Sequence, residues 1–226
     1  MAFYLIFIIP ALLISMYAQF KVKSTFNKYA QISSSRGHTG ADAAQVILQR
    51  NGMGSSVGIQ PIAGSMTDNY DPRTRVLNLS ETVYGSHSIA AIGVAAHEVG
   101  HAIQDQEQYG PMRLRSAIVP VTSFASSASF PILLVGMLLN SMNLVLIGIL
   151  LFSAVVIFHI VTLPVEFNAS RRAVLQLSES GLVSAEEVPM VNKVLGAAAF
   201  TYLAATLMAV ANLLYYVMIF MGGRDE

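Results

Sequence analysis

Apolar residues along the chain follow two regimes: four long, almost wholly apolar runs, and a middle stretch where apolar and polar positions interchange over short distances. Residues 2–20 form the first run, uncharged and close to the ~20 residues a helix needs to cross a bilayer. Residues 117–139, 144–163 and 194–221 form the other three. The short segment Asn140-Ser141-Met142-Asn143 turns the second and third runs into a hairpin. Ser123, Ser126, Ser127 and Ser129 in the second run suit close helix packing in lipid.

The middle stretch, residues 21–115, reads as a small folded region. Gln19 to Ser33 continues the first helix with a polar surface, ended by Ser33-Ser34-Ser35-Arg36-Gly37. Thr39-Gly40-Ala41-Asp42 opens an amphipathic helix that buries Ala43, Ala44, Val46, Ile47 and Leu48, with Gly52 just beyond its end. Val57–Ala63 and Arg75–Leu79 read as two short strands joined by a turn-rich connection over residues 64–72. A further helix starts after Ser86 or Ser88, either of which can cap it. It has too few apolar residues before His97 to cross a membrane. Beyond the third run, residues 164–178 are predicted as another helix, and Ser184-x-x-Glu187 as a capping box leading into the fourth run. The expected fold is a mainly α membrane protein: about four transmembrane helices and a small zincin-like α domain with short β strands, all in one membrane-integrated domain.

Composition sharpens this picture. Only 12% of the 226 residues are charged and 54% are hydrophobic, a membrane protein's balance. A net charge of zero gives no basis for nucleic-acid binding. No Lys or Arg precedes the first run and no small-residue cleavage site follows it, so it is expected to be a permanent anchor. Of the 13 Lys and Arg, all but Arg224 fall in segments that a four-span topology puts on one side, which the positive-inside tendency makes the cytoplasm. Both termini are then outside the inner membrane, with the middle stretch inside.

The chemistry sits in Val94-Ala95-Ala96-His97-Glu98-Val99-Gly100-His101-Ala102-Ile103-Gln104. Positions four apart share a helix face, so His97 and His101 can direct their imidazoles at one ion. Imidazole nitrogens bind zinc at about 2.0–2.1 Å, and Glu98 is placed to act as the base of a metalloprotease. Apolar flanks make this a buried helix, and two histidines and a glutamate buried there need partners. With no cysteine in the chain, a zinc site must be built from His and carboxylate.

A catalytic zinc takes three protein ligands and keeps one open position. Glu166 stands where the third run ends, on the same side of the membrane as the histidines. A carboxylate deep in lipid costs roughly 2.5–3.5 kcal/mol on insertion scales, so it belongs in an aqueous or metal-bound pocket. On spacing alone, an ion pair of Glu166 with Arg171 or Arg172 is the competing reading. Tyr70, His87, Arg171, Arg172 and Tyr202 are candidate donors to a developing oxyanion. Asp68, His159, Asn168 and Ser170 are candidate partners around the ligands. For His159, a hydrogen bond within the membrane helices is an equal alternative.

Glu166-x-x-x-Ser170-x-x-Ala173 following His-Glu-x-x-His resembles the pattern of HtpX-type and CAAX-prenyl-protease-type membrane peptidases. The segments Thr67-Asp68-Asn69-Tyr70-Asp71-Pro72, 94–104, 164–173 and 197–205 more closely resemble the YugP-like prokaryotic neutral zinc metallopeptidases, over nearly the whole chain. That resemblance implies one zinc per chain, Glu166 as third ligand, membrane attachment, and a peptide or membrane-protein substrate. The HtpX-like pattern carries an acid where Ser170 stands, so either another group orients the histidine here or the site is weaker. Two rivals follow. One is a non-catalytic membrane adaptor or assembly factor with a structural or vestigial zinc site, kept open by the absent acid. The other is a site-2-type intramembrane protease, which needs an Asp ligand within a span, and no apolar run contains one.

Overall fold

The structure, a computed structural model, describes the backbone of residues 2–222 and the side chains of residues 5–222. Arg224, the basic residue on the far side of the expected topology, lies outside the described residues. The elements in chain order are α1 (Ala2–Ala30), α2 (Gly40–Arg50), β1 (Gly58–Ile62), β2 (Asn69–Asp71), β3 (Val76–Ser80), α3 (Glu81–Tyr84), α4 (Ile89–Gln106), α5 (Gly110–Leu138), α6 (Met142–Glu179) and α7 (Val188–Gly222). The protein is a mainly α membrane protein. Among the described residues four helices, α1, α5, α6 and α7, are long and apolar enough to cross a bilayer. The chain divides into two compact units, one of residues 1–19, 113–164 and 201–226, the other of residues 20–112 and 165–200. Each long helix contributes a segment to both.

In the first unit the long helices present large apolar side chains outward, among them Leu13, Phe124, Leu138, Leu150 and Ile157. Apolar exposure on this scale marks a membrane-facing surface. Inside, Ile8 and Ala11 of α1 pack with Ala211 of α7, and Leu133 of α5 with Val145 and Ile149 of α6. Close approach of α5 and α6 depends on glycine. A Cβ on Gly136 would lie 2.8 Å from the Val145 nitrogen, and one on Gly148 2.5 Å from the Leu133 side chain. The hydroxyls of Ser127, Ser153, Thr162 and Thr206 each donate to the carbonyl four residues back, which satisfies them without a partner helix.

The second unit is built around α4. Thr39 caps α2 through a reciprocal box: its hydroxyl accepts from the Asp42 N–H at 3.0 Å, and the Asp42 carboxylate accepts from the Thr39 N–H at 2.9 Å. Ala43, Ala44, Ile47 and Leu48 of α2 are buried against α4. The sheet runs β1-β3-β2, with β1 parallel and β2 antiparallel to β3. Leu77 and Leu79 of β3 point into the core, while Pro61, which cannot donate to a ladder, lies on the outer strand β1. Ser88, one of the two expected caps, accepts from the Ala91 N–H at 3.2 Å and starts α4.

The structure departs from the sequence reading at several elements, among them the short helix α3, which that reading does not contain, and α5, which begins at Gly110 ahead of the apolar run. β2 lies within the stretch read as a turn. The strands expected at 57–63 and 75–79 are observed as Gly58–Ile62 and Val76–Ser80. Residues 164–178, expected as a separate helix, continue α6 without interruption past Pro164.

Candidate metal centre

Helix α4 is covered on nearly all sides, because alanines at 90, 91, 95, 96 and 102 let neighbouring elements approach. At the site it is approached by α6. A Cβ built on Gly100 would stand 2.6 Å from the carbonyl oxygen of Ala169, a backbone atom with no freedom to move aside. Glycine at this position, between the two histidines, is what lets α6 reach the face of α4 that carries them.

That approach brings three side chains together. The Nε2 of His97 lies 3.3 Å from Oε2 of Glu166, and the Nε2 of His101 lies 3.6 Å from the same oxygen. All three ligand atoms lie within 4.8 Å of one another. The imidazoles meet edge to face, at 84°. Zinc bound tetrahedrally at about 2.0–2.1 Å would hold neighbouring donors roughly 3.3–3.4 Å apart. The two spacings to Glu166 match that edge, and two neutral imidazoles with one carboxylate form a donor set zinc accepts. Glu166 is 2% exposed. The site fits the ion.

Both histidines are held from behind. The hydroxyl of Ser170, one turn after Glu166, lies 3.1 Å from Nδ1 of His97. Where the HtpX-like pattern carries an acid, Ser170, one of the candidate partners, itself stands against His97, with a hydroxyl in place of a carboxylate. Gln104, fully buried, lies with Oε1 3.0 Å from Nδ1 of His101. Its amide nitrogen donates to the Val165 carbonyl at 2.8 Å and to Oδ1 of Asn168 at 2.9 Å. Arg172 also donates to Asn168 Oδ1, at 2.7 Å, and pairs with Glu107 at 2.6 Å. This ion pair holds the Glu107 carboxyl below its ordinary value.

Glu98, beside His97, is buried, and burial raises its pKa above the ordinary carboxylate value. His97 and His101 oppose that rise, while Glu166 and Asp68 add to it. A rise is the direction that favours a carboxylate as a general base.

The remaining sequence candidates sit as follows. Asp68 accepts from the backbone N–H and the hydroxyl of Ser80, at 2.7 and 3.0 Å. The Tyr70 hydroxyl donates to Asp105 at 2.9 Å; burial and that carboxylate raise its pKa. His87 is exposed, with Nδ1 2.9 Å from the Gly37 carbonyl. Arg171 is exposed. His159 and Tyr202 belong to the membrane-helix unit. Gln104, Asp105 and Glu107 carried no role in the sequence reading. Helical spacing would have found the first, since 97, 101 and 104 share one face of a helix.

Two histidines four apart, the glutamate between them and a second glutamate on a later helix are the residue set of a membrane zinc metalloprotease. The chain belongs to the family described as "Putative neutral zinc metallopeptidase", whose model matches residues 4–221. It is 53% identical over 218 residues, 96% of each chain, to the "Putative membrane protease YugP" of Bacillus subtilis (strain 168). No solved structure matches it.

Proposed function

We propose that this chain is a zinc-dependent membrane endopeptidase that hydrolyses peptide bonds at the cytoplasmic face of the cell membrane. The observation that carries the reading is the convergence of His97, His101 and Glu166 beside a buried Glu98. These three ligands would hold zinc, which would supply Lewis-acid polarisation and a more acidic water near neutral pH. Glu98 takes the proton of the attacking water and delivers it to the leaving amine. Ser170 and Gln104 hold the two imidazoles through their Nδ1 atoms, leaving both Nε2 atoms directed at Glu166. β2 is an outer strand packed against α4, so an extended substrate can add to the sheet there and bring its backbone alongside the site. The distribution of Lys and Arg supports a cytoplasmic site with both termini outside.

The test is to incubate purified full-length protein, loaded with zinc, with a peptide library. Wild type should bind one zinc per chain and cleave; Glu98→Gln should keep the zinc and lose cleavage; Glu166→Ala should lose the zinc. A zinc-loaded wild type that cleaves nothing favours the adaptor reading. An active Glu98→Gln removes Glu98 from the mechanism, and zinc retained by Glu166→Ala means another carboxylate is the ligand.

A further inference from the structure

We propose that Gln104 is a positioning residue that sets the tautomer of His101 and clamps the helix bearing Glu166 to the helix bearing the histidines. The inference rests on the zinc reading above.

A buried amide has an acceptor end and a donor end, and only its neighbours decide which points where. For Gln104 the neighbours leave no choice. The carbonyl oxygen of Val165 can only accept, so the end of Gln104 that meets it at 2.8 Å is the NH2 group. The other end, the oxygen, then faces Nδ1 of His101 at 3.0 Å, and that nitrogen must carry the proton. His101 is thereby left with its lone pair on Nε2, the atom 3.6 Å from Glu166. An imidazole in the opposite tautomer would present a proton to the ion.

The outer end of the relay has the same fixed polarity. Arg172 has only donors, so the Asn168 atom it meets at 2.7 Å is the oxygen. This oxygen also accepts from Gln104 at 2.9 Å. Arg172 is in turn anchored by Glu107. Every bond from the half-exposed Glu107 carboxylate to His101 thus runs in one allowed direction. The relay also crosses between helices: Gln104 and Glu107 come from α4 and its end, while Val165, Asn168 and Arg172 come from α6. Val165 adjoins Glu166, so the amide that sets one ligand's tautomer also grips the backbone next to another. His97 has no such constraint, because the Ser170 hydroxyl can either donate or accept.

The test is cobalt(II) titration of the full-length protein, read by the visible absorption bands of the bound ion, in wild type and Gln104→Met. Methionine preserves length and volume but has no amide. Partners of metal ligands are typically worth 10–100-fold in metal affinity, so Gln104→Met should bind cobalt roughly 10–100-fold more weakly, with shifted bands. Wild-type affinity and bands in Gln104→Met overturn the role. If Gln104→Met does not fold, Asn168→Leu interrogates the relay one step further out. It should weaken binding several-fold, on the order of the lower end of that range, and unchanged binding overturns the role. Wild-type protein that takes up no cobalt overturns the zinc reading itself; cobalt-loaded wild type with an indifferent variant overturns the Gln104 role alone.

Discussion

The hydroxyl of Ser170 lies 3.1 Å from Nδ1 of His97, one helical turn beyond the carboxylate that Nε2 of the same ring approaches at 3.3 Å. One face of α6 therefore addresses both nitrogens of one imidazole. A hydroxyl anchors the ring more weakly than a carboxylate, because it brings no charge to polarise it. Removing it should still matter. Ser170→Ala is expected to bind zinc about 10-fold more weakly with little change in thermal unfolding of the metal-free protein, checked by competition with a chelator. Unchanged zinc affinity would show that packing alone orients His97.

Gly100→Ala places a methyl group 2.6 Å from the Ala169 carbonyl. The backbone on both sides is helical, so the two helices must separate. Overpacking of this kind costs about 1–3 kcal/mol. The larger effect should fall on the site, since separation carries Glu166 away from both histidines. A lowered Tm together with loss of bound zinc is the expected pair of results. A variant that retains both would mean the crossing is more compliant than the geometry implies.

Asp68 gives a pH-dependent prediction. Burial raises its carboxyl above the ordinary value of 3.8, despite the opposing bonds from Ser80. The folded chain then holds that proton more tightly than the unfolded chain does, so stability falls as pH rises through the interval between the two values. Asp68→Asn keeps an acceptor for the Ser80 N–H and a donor for its hydroxyl, without the buried charge. Its Tm should match wild type below the unfolded value and exceed it at neutral pH. An advantage that shrinks with rising pH would contradict the assignment.

Orientation can be read directly, because the chain contains no cysteine. Ser55 is exposed in the unit that holds the site, and Leu139 is exposed at the end of α5. In intact spheroplasts a membrane-impermeant maleimide should label Leu139→Cys and spare Ser55→Cys until the membrane is opened. The opposite pattern would place the histidines outside.

Much of this architecture is legible in the sequence because it depends on unmistakable signals. Four uncharged runs of this length read as membrane helices, and His97, Glu98 and His101 follow a spacing set by helix geometry. Glu166 was harder: Arg171 and Arg172 offer it an equally local partner, and only the fold turns Arg172 toward Glu107 instead. β2 escaped notice because Asn69-Tyr70-Asp71 is three residues long, composed mostly of turn formers and followed by Pro72. Pro164 looked like a helix boundary, yet α6 passes through it. A proline removes one donor from a long helix without ending it when neighbouring turns hold the path. Helical spacing places Gln104 on the histidine face, but not the direction of its amide, which partners on α6 set.

The bare hydrogen at position 100 offers a filter for reading other chains. His-Glu-x-x-His names two ligands, and the pattern alone does not say from which direction the third arrives. A glycine just before the second histidine, as here, marks a helix able to admit another main chain against its active face. In apolar sequences that carry the motif, a bulky residue at that point would predict a wider interhelical gap, and a third ligand supplied from some other direction.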